Sequence, residues 1–205
     1  MPEKIVKDLD FAVTCPDLKE HAPKPQQHPP LAVKKVVIPG ADCDRLFSEA
    51  VCLASEFEFE HVYIHVGTNL HDTYRTVEES ITEISDLLDS TRKIFGCNVT
   101  YSPILPRLLR SDRKQDASAP LSEGSIKLIQ CITLINAGLH KFCNLQGFGQ
   151  MVCAPFQMDW DYPVPDRSLL AMDGCHLSAK GVEELQFPLF EHIMSNFWVW
   201  HGNDL

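Results

Sequence analysis

His61-Val62-Tyr63-Ile64-His65-Val66 is followed at once by Gly67-Thr68-Asn69. A nearly continuous apolar run of this length, closed by glycine, reads as a strand near the centre of a parallel sheet. The sequence on either side alternates as βαβ units require. Downstream, Thr76 to Phe95 carries Val77, Ile81, Ile84, Leu88 and Ile94 on one helical face, and Gly96 ends it. Asn98 to Ile104 is the next strand, Ile126 to Cys143 the next helix, and Gln150 to Ala154 a further strand. Between them, Arg107 to Glu123 reads as a polar, flexible loop, and Ser178 to Phe197 is the last helix.

Upstream, Val33 to Ile38 reads as a strand stopped by Pro39-Gly40. Asp42 to Glu56 follows as a helix with Leu46, Ala50 and Leu53 at helical spacing and Asp42 as its N-cap. Leu9 to Thr14 is a first, short strand, separated by a Pro-rich connector from Pro23 to Pro30. Five strands separated by helices, without an internal repeat, predict an α/β fold. It is a three-layer α/β/α sandwich on a mostly parallel sheet, of the flavodoxin-like kind. Residues 1–8 and 198–205 are read as tails around one domain, 9–197.

The chain has 205 residues, of which 44% are hydrophobic, enough for one domain with a sizeable core. No apolar run approaches the roughly 18 residues that span a bilayer, and Met1-Pro2-Glu3-Lys4 lacks the apolar core of a signal peptide. Both observations predict an intracellular protein. Eight cysteines, without Cys-x-x-Cys spacing, read as reduced, buried thiols rather than metal ligands or disulfides. No metal or cofactor is implied. The sequon Asn98-Val99-Thr100 falls inside a predicted strand and is set aside. With 28 acidic against 18 basic residues the net charge is −10, which repels a phosphate backbone. The basic group Arg107, Arg110, Arg113 and Lys114 is interrupted by Asp112 and Asp116 and reads as a solvated loop, so nucleic acid is not an expected partner.

Ligands of open α/β sheets collect at the carboxyl ends of the strands. Four segments lie at such positions: Cys15-Pro16-Asp17-Leu18, Pro39-Gly40-Ala41, Gly67-Thr68-Asn69 and the pair Asp173 and His176 before the last helix. A spacing of three on a tight turn lets the Asp173 carboxylate reach back to the His176 imidazole, fix its tautomer and orient it as a base. Gly40 offers a backbone N–H and Asn69 a side-chain amide, the donor types of an oxyanion hole.

The order and placement of these residues resemble the SGNH hydrolase family, the GDSL esterases and lipases, over roughly Leu9 to Ser195. Ile38-Pro39-Gly40-Ala41 is similar to the block whose glycine donates to the oxyanion. Tyr63 to Asn69 is similar to the block whose asparagine completes the hole, and Asp173-Gly174-Cys175-His176-Leu177 to the block holding the triad Asp and His. Ser102-Pro103-Ile104-Leu105-Pro106-Arg107 and Ile135-Asn136 resemble the branch found in LINE-type retrotransposon proteins and their domesticated relatives.

One block departs from the family. Where the resemblance implies Gly-Asp-Ser-Leu after the first strand, the chain reads Cys15-Pro16-Asp17-Leu18. Leu18 agrees, the nucleophile position holds Asp17, and the first serine anywhere in the chain is Ser48. An ionised Asp has no hydroxyl proton to give; it would pair with the histidine and favour the imidazolium. The expectation is a pseudo-esterase that binds a small acyl or acetylated ligand, or a protein partner. The alternative is a carboxylic-ester hydrolase using Asp17 or Cys15 with His176. A third role, protein interaction, attaches to Phe197-Trp198-Val199-Trp200, which also reads as helix packing.

Overall fold

A computed structural model describes residues 34–38, 40–69, 75–115, 119–151 and 166–201, with side chains of the last helix described as far as Ile193. The chain divides into two units, Met1–Pro39 and Gly40–Leu205. In the first, residues 34–38 form neither helix nor strand, which corrects the strand expected over Val33 to Ile38. Lys-Lys-Val-Val-Ile has strand propensity, but propensity marks a surface suited to a sheet and does not supply a neighbour. Val37 is 69% exposed. The expected strand over Leu9 to Thr14 lies outside the described residues.

The second unit begins with α1 (Cys43–Glu56), β1 (His61–His65) and α2 (Val77–Phe95). Next come β2 (Asn98–Ser102), the short α3 (Arg110–Arg113), α4 (Glu123–Gln146) and β3 (Gly149–Gln150). A 3-10 turn at Arg167–Leu169 precedes α5 (Ala179–His201). The three strands are parallel in the order β1-β2-β3, with His61 opposite Asn98 and His65 opposite Ser102. This is an α/β fold with helical crossovers between parallel strands. Three of the five expected strands thus form among the described residues.

Local chemistry sets the helix ends. Asp42 accepts from the Arg45 N–H at 2.9 Å, and Thr76 and Glu79 form a reciprocal capping box on α2. Gly96 then takes a left-handed φ of 63° to end α2, as its position in the sequence predicts. At the other end of the chain, Ser178 accepts from the Gly181 N–H and starts α5. That helix runs past its expected end at Phe197 to His201.

The strand period of two sends Val62, Ile64 and Val66 to one face, with Val99 and Tyr101 beside them. There they meet Ile84, Leu87 and Leu88 of α2 and Ile132, Ile135 and Leu139 of α4. The opposite face carries His61, Tyr63, His65, Thr100 and Ser102. Against it stands His192 of α5, in edge contact with Tyr63 and 3.3 Å from the Thr100 hydroxyl. Helices on both faces of the sheet make the sandwich.

Two expectations need correction. The segment Arg107 to Glu123 is not a loose loop. It contains α3, and Asp112 within it is buried, accepting from the Ser122 N–H at 3.0 Å and hydroxyl at 2.5 Å. Burial alone would raise the Asp112 pKa, but the Ser122 and Ser125 hydrogen bonds outweigh it and the shift is downward. The second correction concerns the thiols. Burial pushes Cys43 up to about 12 and Cys143 to about 11, whereas Cys52 is exposed and Cys97, Cys131 and Cys175 are half-buried. Cys15 and Cys153 lie outside the described residues. No described helix is long and apolar enough to cross a membrane.

Candidate active site

Asp173 and His176 meet as their spacing predicts. His176 Nδ1 lies 2.6 Å from one Asp173 carboxylate oxygen, and the other oxygen accepts from the N–H groups of Cys175 and His176 at 2.9 and 3.0 Å. The imidazole bond first, and these amides second, hold the Asp173 carboxyl well below the usual carboxylate range. An ionised carboxylate only accepts, so the shared proton sits on Nδ1, and Nε2 is the ring nitrogen turned away from the pair. The His176 side chain is 80% exposed, and no group among the described residues bonds to Nε2. That is the orientation a general base needs.

The turn that holds this pair is closed by Ala171 N–H to the His176 carbonyl at 2.8 Å and Ser178 N–H to Leu169 at 2.9 Å. Gly174 sits between the pair with φ of 77°, and a Cβ there would stand 2.2 Å from the Leu108 carbonyl oxygen. Leu108 N–H in turn donates to the Gly174 carbonyl at 2.9 Å. Only glycine satisfies both the sign of φ and this close approach, a role not read from the sequence.

Asn69 stands half-exposed in the turn directly after β1. Gly67 precedes it with φ of 110°, where a Cβ would come within 2.5 Å of Ile104. The Arg107 guanidinium donates to the Thr68 carbonyl. Arg107 and Leu108 thus join the Asn69 turn to the Gly174 turn. The same segment is pinned at Ile104, whose N–H and carbonyl both bond to the Asn136 side chain at 2.9 Å. Ser102 to Arg107 and Asn136, separate in sequence, meet as one clamp. Arg107, read from sequence as part of a solvated basic loop, is a structural cation of the strand ends.

Gly40 is exposed with φ of 66° and open space where a Cβ would stand. Among the described residues no hydrogen bond links it to Asn69 or to the His176 turn. Cys15, Pro16, Asp17 and Leu18 lie outside the described residues. So do Leu70 to Tyr74, which follow Asn69.

Sequence reasoning missed a polar pair at the same strand ends. His65 Nδ1 lies 3.1 Å from the Ser102 hydroxyl. The His65 ring is exposed, yet the protein around it still lowers its pKa by desolvation, partly opposed by a hydrogen bond to the Ser102 backbone. Alternation was the available signal: positions 61, 63 and 65 place polar or amphipathic rings on one face of a strand read as a nearly continuous apolar run. A separate cavity of about 400 Å³, lined by His61, Asn98, Cys143, Asn144 and Phe148, opens at the amino ends of the strands. It lies at the opposite end of the sheet from Asn69.

Solved structures share this arrangement of strands and helices. A GDSL-like lipase from Bacteroides thetaiotaomicron superposes with a TM-score of 0.58 at 12% identity, over 77% of this chain and 73% of that one. The chain has the SGNH-hydrolase fold. A carbohydrate acetylesterase from Sinorhizobium meliloti shares this SGNH fold with a TM-score of 0.51 at 15% identity, over 73% and 67% of the two chains. An aryl esterase from M. smegmatis gives 0.50 at 18%, over 75% and 67%. By sequence, no protein-family model and no curated protein matches. At these identities the likeness establishes the SGNH architecture, and chemistry has to be argued from residues.

Proposed function

We propose that this SGNH-type domain binds a small acyl or acetylated ligand at its strand ends and serves as a binding or scaffolding module without serine-esterase turnover. One observation carries the reading. The Asp173–His176 pair has the geometry of an oriented base, while the segment that resembles the nucleophile block reads Cys15-Pro16-Asp17-Leu18 and contains no serine. A serine works because a neutral imidazole takes its proton during attack. An ionised aspartate in that role has no hydroxyl proton to give. Loss of one triad member costs several orders of magnitude in rate.

The ligand class follows from donor chemistry, since Gly40 and Asn69 offer N–H groups suited to an acyl oxygen. It also agrees with the esterases and the carbohydrate acetylesterase that share the fold. The net charge of −10 favours a protein or neutral small-molecule partner over nucleic acid. We assign the domain to the LINE-type retrotransposon branch, on the resemblance of Ser102–Arg107 and Ile135-Asn136, and to an intracellular setting, supported by the free thiols of the six described cysteines.

A second reading, a carboxylic-ester hydrolase using Asp17 or Cys15, is favoured by the exposed His176 side chain, whose Nε2 faces away from Asp173. A chromogenic short-chain ester separates the two. The binding reading expects no His176-dependent hydrolysis by the wild-type chain and a gain of activity in Asp17→Ser. Wild-type turnover that vanishes in His176→Ala would sink it, and Cys15→Ala would then show which side chain attacks.

A further inference from the structure

We propose that Arg113 is a positioning residue: with the short helix α3 it seats the Asp173–His176 turn, and so fixes where His176 meets a ligand held at Asn69. The inference deepens the binding reading above, and its ligand half rests on that reading.

The Asp173–His176 pair is local. Its hydrogen bonds run between residues at most three apart, so the pair can form wherever the turn lies. The turn also closes on itself, with Leu170 paired to Leu177 and the Ala171 N–H on the His176 carbonyl. None of these bonds refers to the strand ends, so placement has to come from outside the turn. Two hydrogen bonds from the preceding segment meet it, one at each end. The Leu108 N–H donates to the Gly174 carbonyl at the tip at 2.9 Å, and the Arg113 Nε–H donates to the Leu170 carbonyl at the foot at 2.8 Å. The Arg113 stem also lies against the tip, its Cβ 3.5 Å from where a Cβ on Gly174 would stand. A guanidinium holds its N–H groups in a fixed plane, so such a bond sets a direction as well as a distance.

The seat is itself fixed. The Leu109 carbonyl accepts from the Asp112 and Arg113 N–H groups at 2.9 and 3.0 Å. The Leu109 N–H donates to the Ser125 hydroxyl at 2.8 Å, and buried Asp112 accepts from Ser122. These bonds pin α3 to the first turn of α4. Just before the seat, Arg107 reaches the Thr68 carbonyl, next to Asn69. One run of residues, 107–113, therefore touches the Asn69 turn at one end and the His176 turn at the other. Binding groups act together only when held within about 0.5 Å of their working geometry. The pair makes His176 an oriented base, and the seat decides whether that base reaches the ligand.

The test uses the full chain with glycerol triacetate as the acyl probe, followed in nitrogen–proton correlation spectra at the Asn69 side-chain amide and the His176 ring. Arg113→Met keeps the stem and deletes the donor, whereas Arg113→Lys keeps a donor. Without ligand, Arg113→Met should shift or broaden the amide signals of Ala171 to Leu177, while the His176 Nδ1 proton keeps the low-field position of a bond to Asp173. Arg113→Lys should restore part of the wild-type spectrum. Unmoved signals in Arg113→Met overturn the seat, whatever binds. With ligand, Arg113→Met and His176→Ala should each weaken the affinity read at Asn69 by about tenfold, the worth of one hydrogen bond. The double variant should be no weaker than either alone, because both changes remove the same contact. Losses that multiply, or no loss in either single variant, overturn the positioning role. A wild-type chain in which the triacetate moves neither Asn69 nor His176 overturns the binding reading and the ligand half of this inference, and the ligand-free spectra still decide the seat.

Discussion

The two faces of the sheet differ as much as any two regions of the molecule. One is apolar throughout, where Val62, Ile64, Val66, Val99 and Tyr101 pack against α2 and α4 with residues such as Ile84, Leu88 and Leu139 wholly buried. The other carries His61, Tyr63, Thr100 and His192 joined by hydrogen bonds and ring contacts. His61 Nε2 stands 2.7 Å from the Thr100 hydroxyl and His192 Nε2 stands 3.3 Å from it. One hydroxyl has one proton, so at least one of the two rings must donate to it rather than accept. The first face stabilises through removal of apolar area from water, which does not depend on pH. The second stabilises only while its imidazoles stay neutral and paired. The face that holds the fold together is thus separate from the face that leads, through His65 and Ser102, to the candidate site.

Replacing a residue of the apolar face should have the largest effect. Leu88→Ala removes a fully buried side chain and should cost about 2–5 kcal/mol in urea unfolding; a cost under about 1 kcal/mol would show that this face is not the main core. On the polar face Thr100→Val keeps the volume and deletes the shared hydroxyl. Two half-buried imidazoles then lose a partner, and the cost should be about 1–3 kcal/mol. An unchanged urea midpoint would mean that water replaces the hydroxyl.

The smallest and most specific contrast is with pH. Desolvation lowers the His61 pKa below 6.5, with the neighbouring His192 adding to it, and desolvation also lowers that of His192. Between those lowered values and 6.5 the unfolded chain binds more protons than the folded one. Stability is therefore complete above pH 6.5 and falls as pH drops through the window below it. A double variant, His61→Gln with His192→Gln, should flatten that slope, whereas Leu88→Ala should shift the whole curve and keep its shape. Identical slopes in wild type and double variant would break the distinction between the faces.

Much of the architecture was legible because it rests on local signals. Asp42, Thr76 and Gly96 cap helices from within a few residues, and the period of Ile84 and Leu88 marks a buried face wherever the helix packs. Residues 34–38 failed as a strand for the opposite reason, since pairing is supplied by another segment. The segment after Arg107 was misread because much of its order comes from distant partners, Leu170 for Arg113 and Gly174 for Leu108. Polar composition alone looks the same in a tethered segment and a loose one.

The sequence by itself determined the pair at Asp173 and His176, because a spacing of three on a turn leaves that carboxylate few other partners. It also determined that no serine precedes Ser48. Tertiary structure alone decided that Asn136 clamps Ile104, that Arg107 reaches Thr68, that Gly174 lies against Leu108, and that His65 turns its Nδ1 to Ser102. Each of these joins residues tens of positions apart, and such contacts exist only once the chain has brought the carboxyl ends of its strands together.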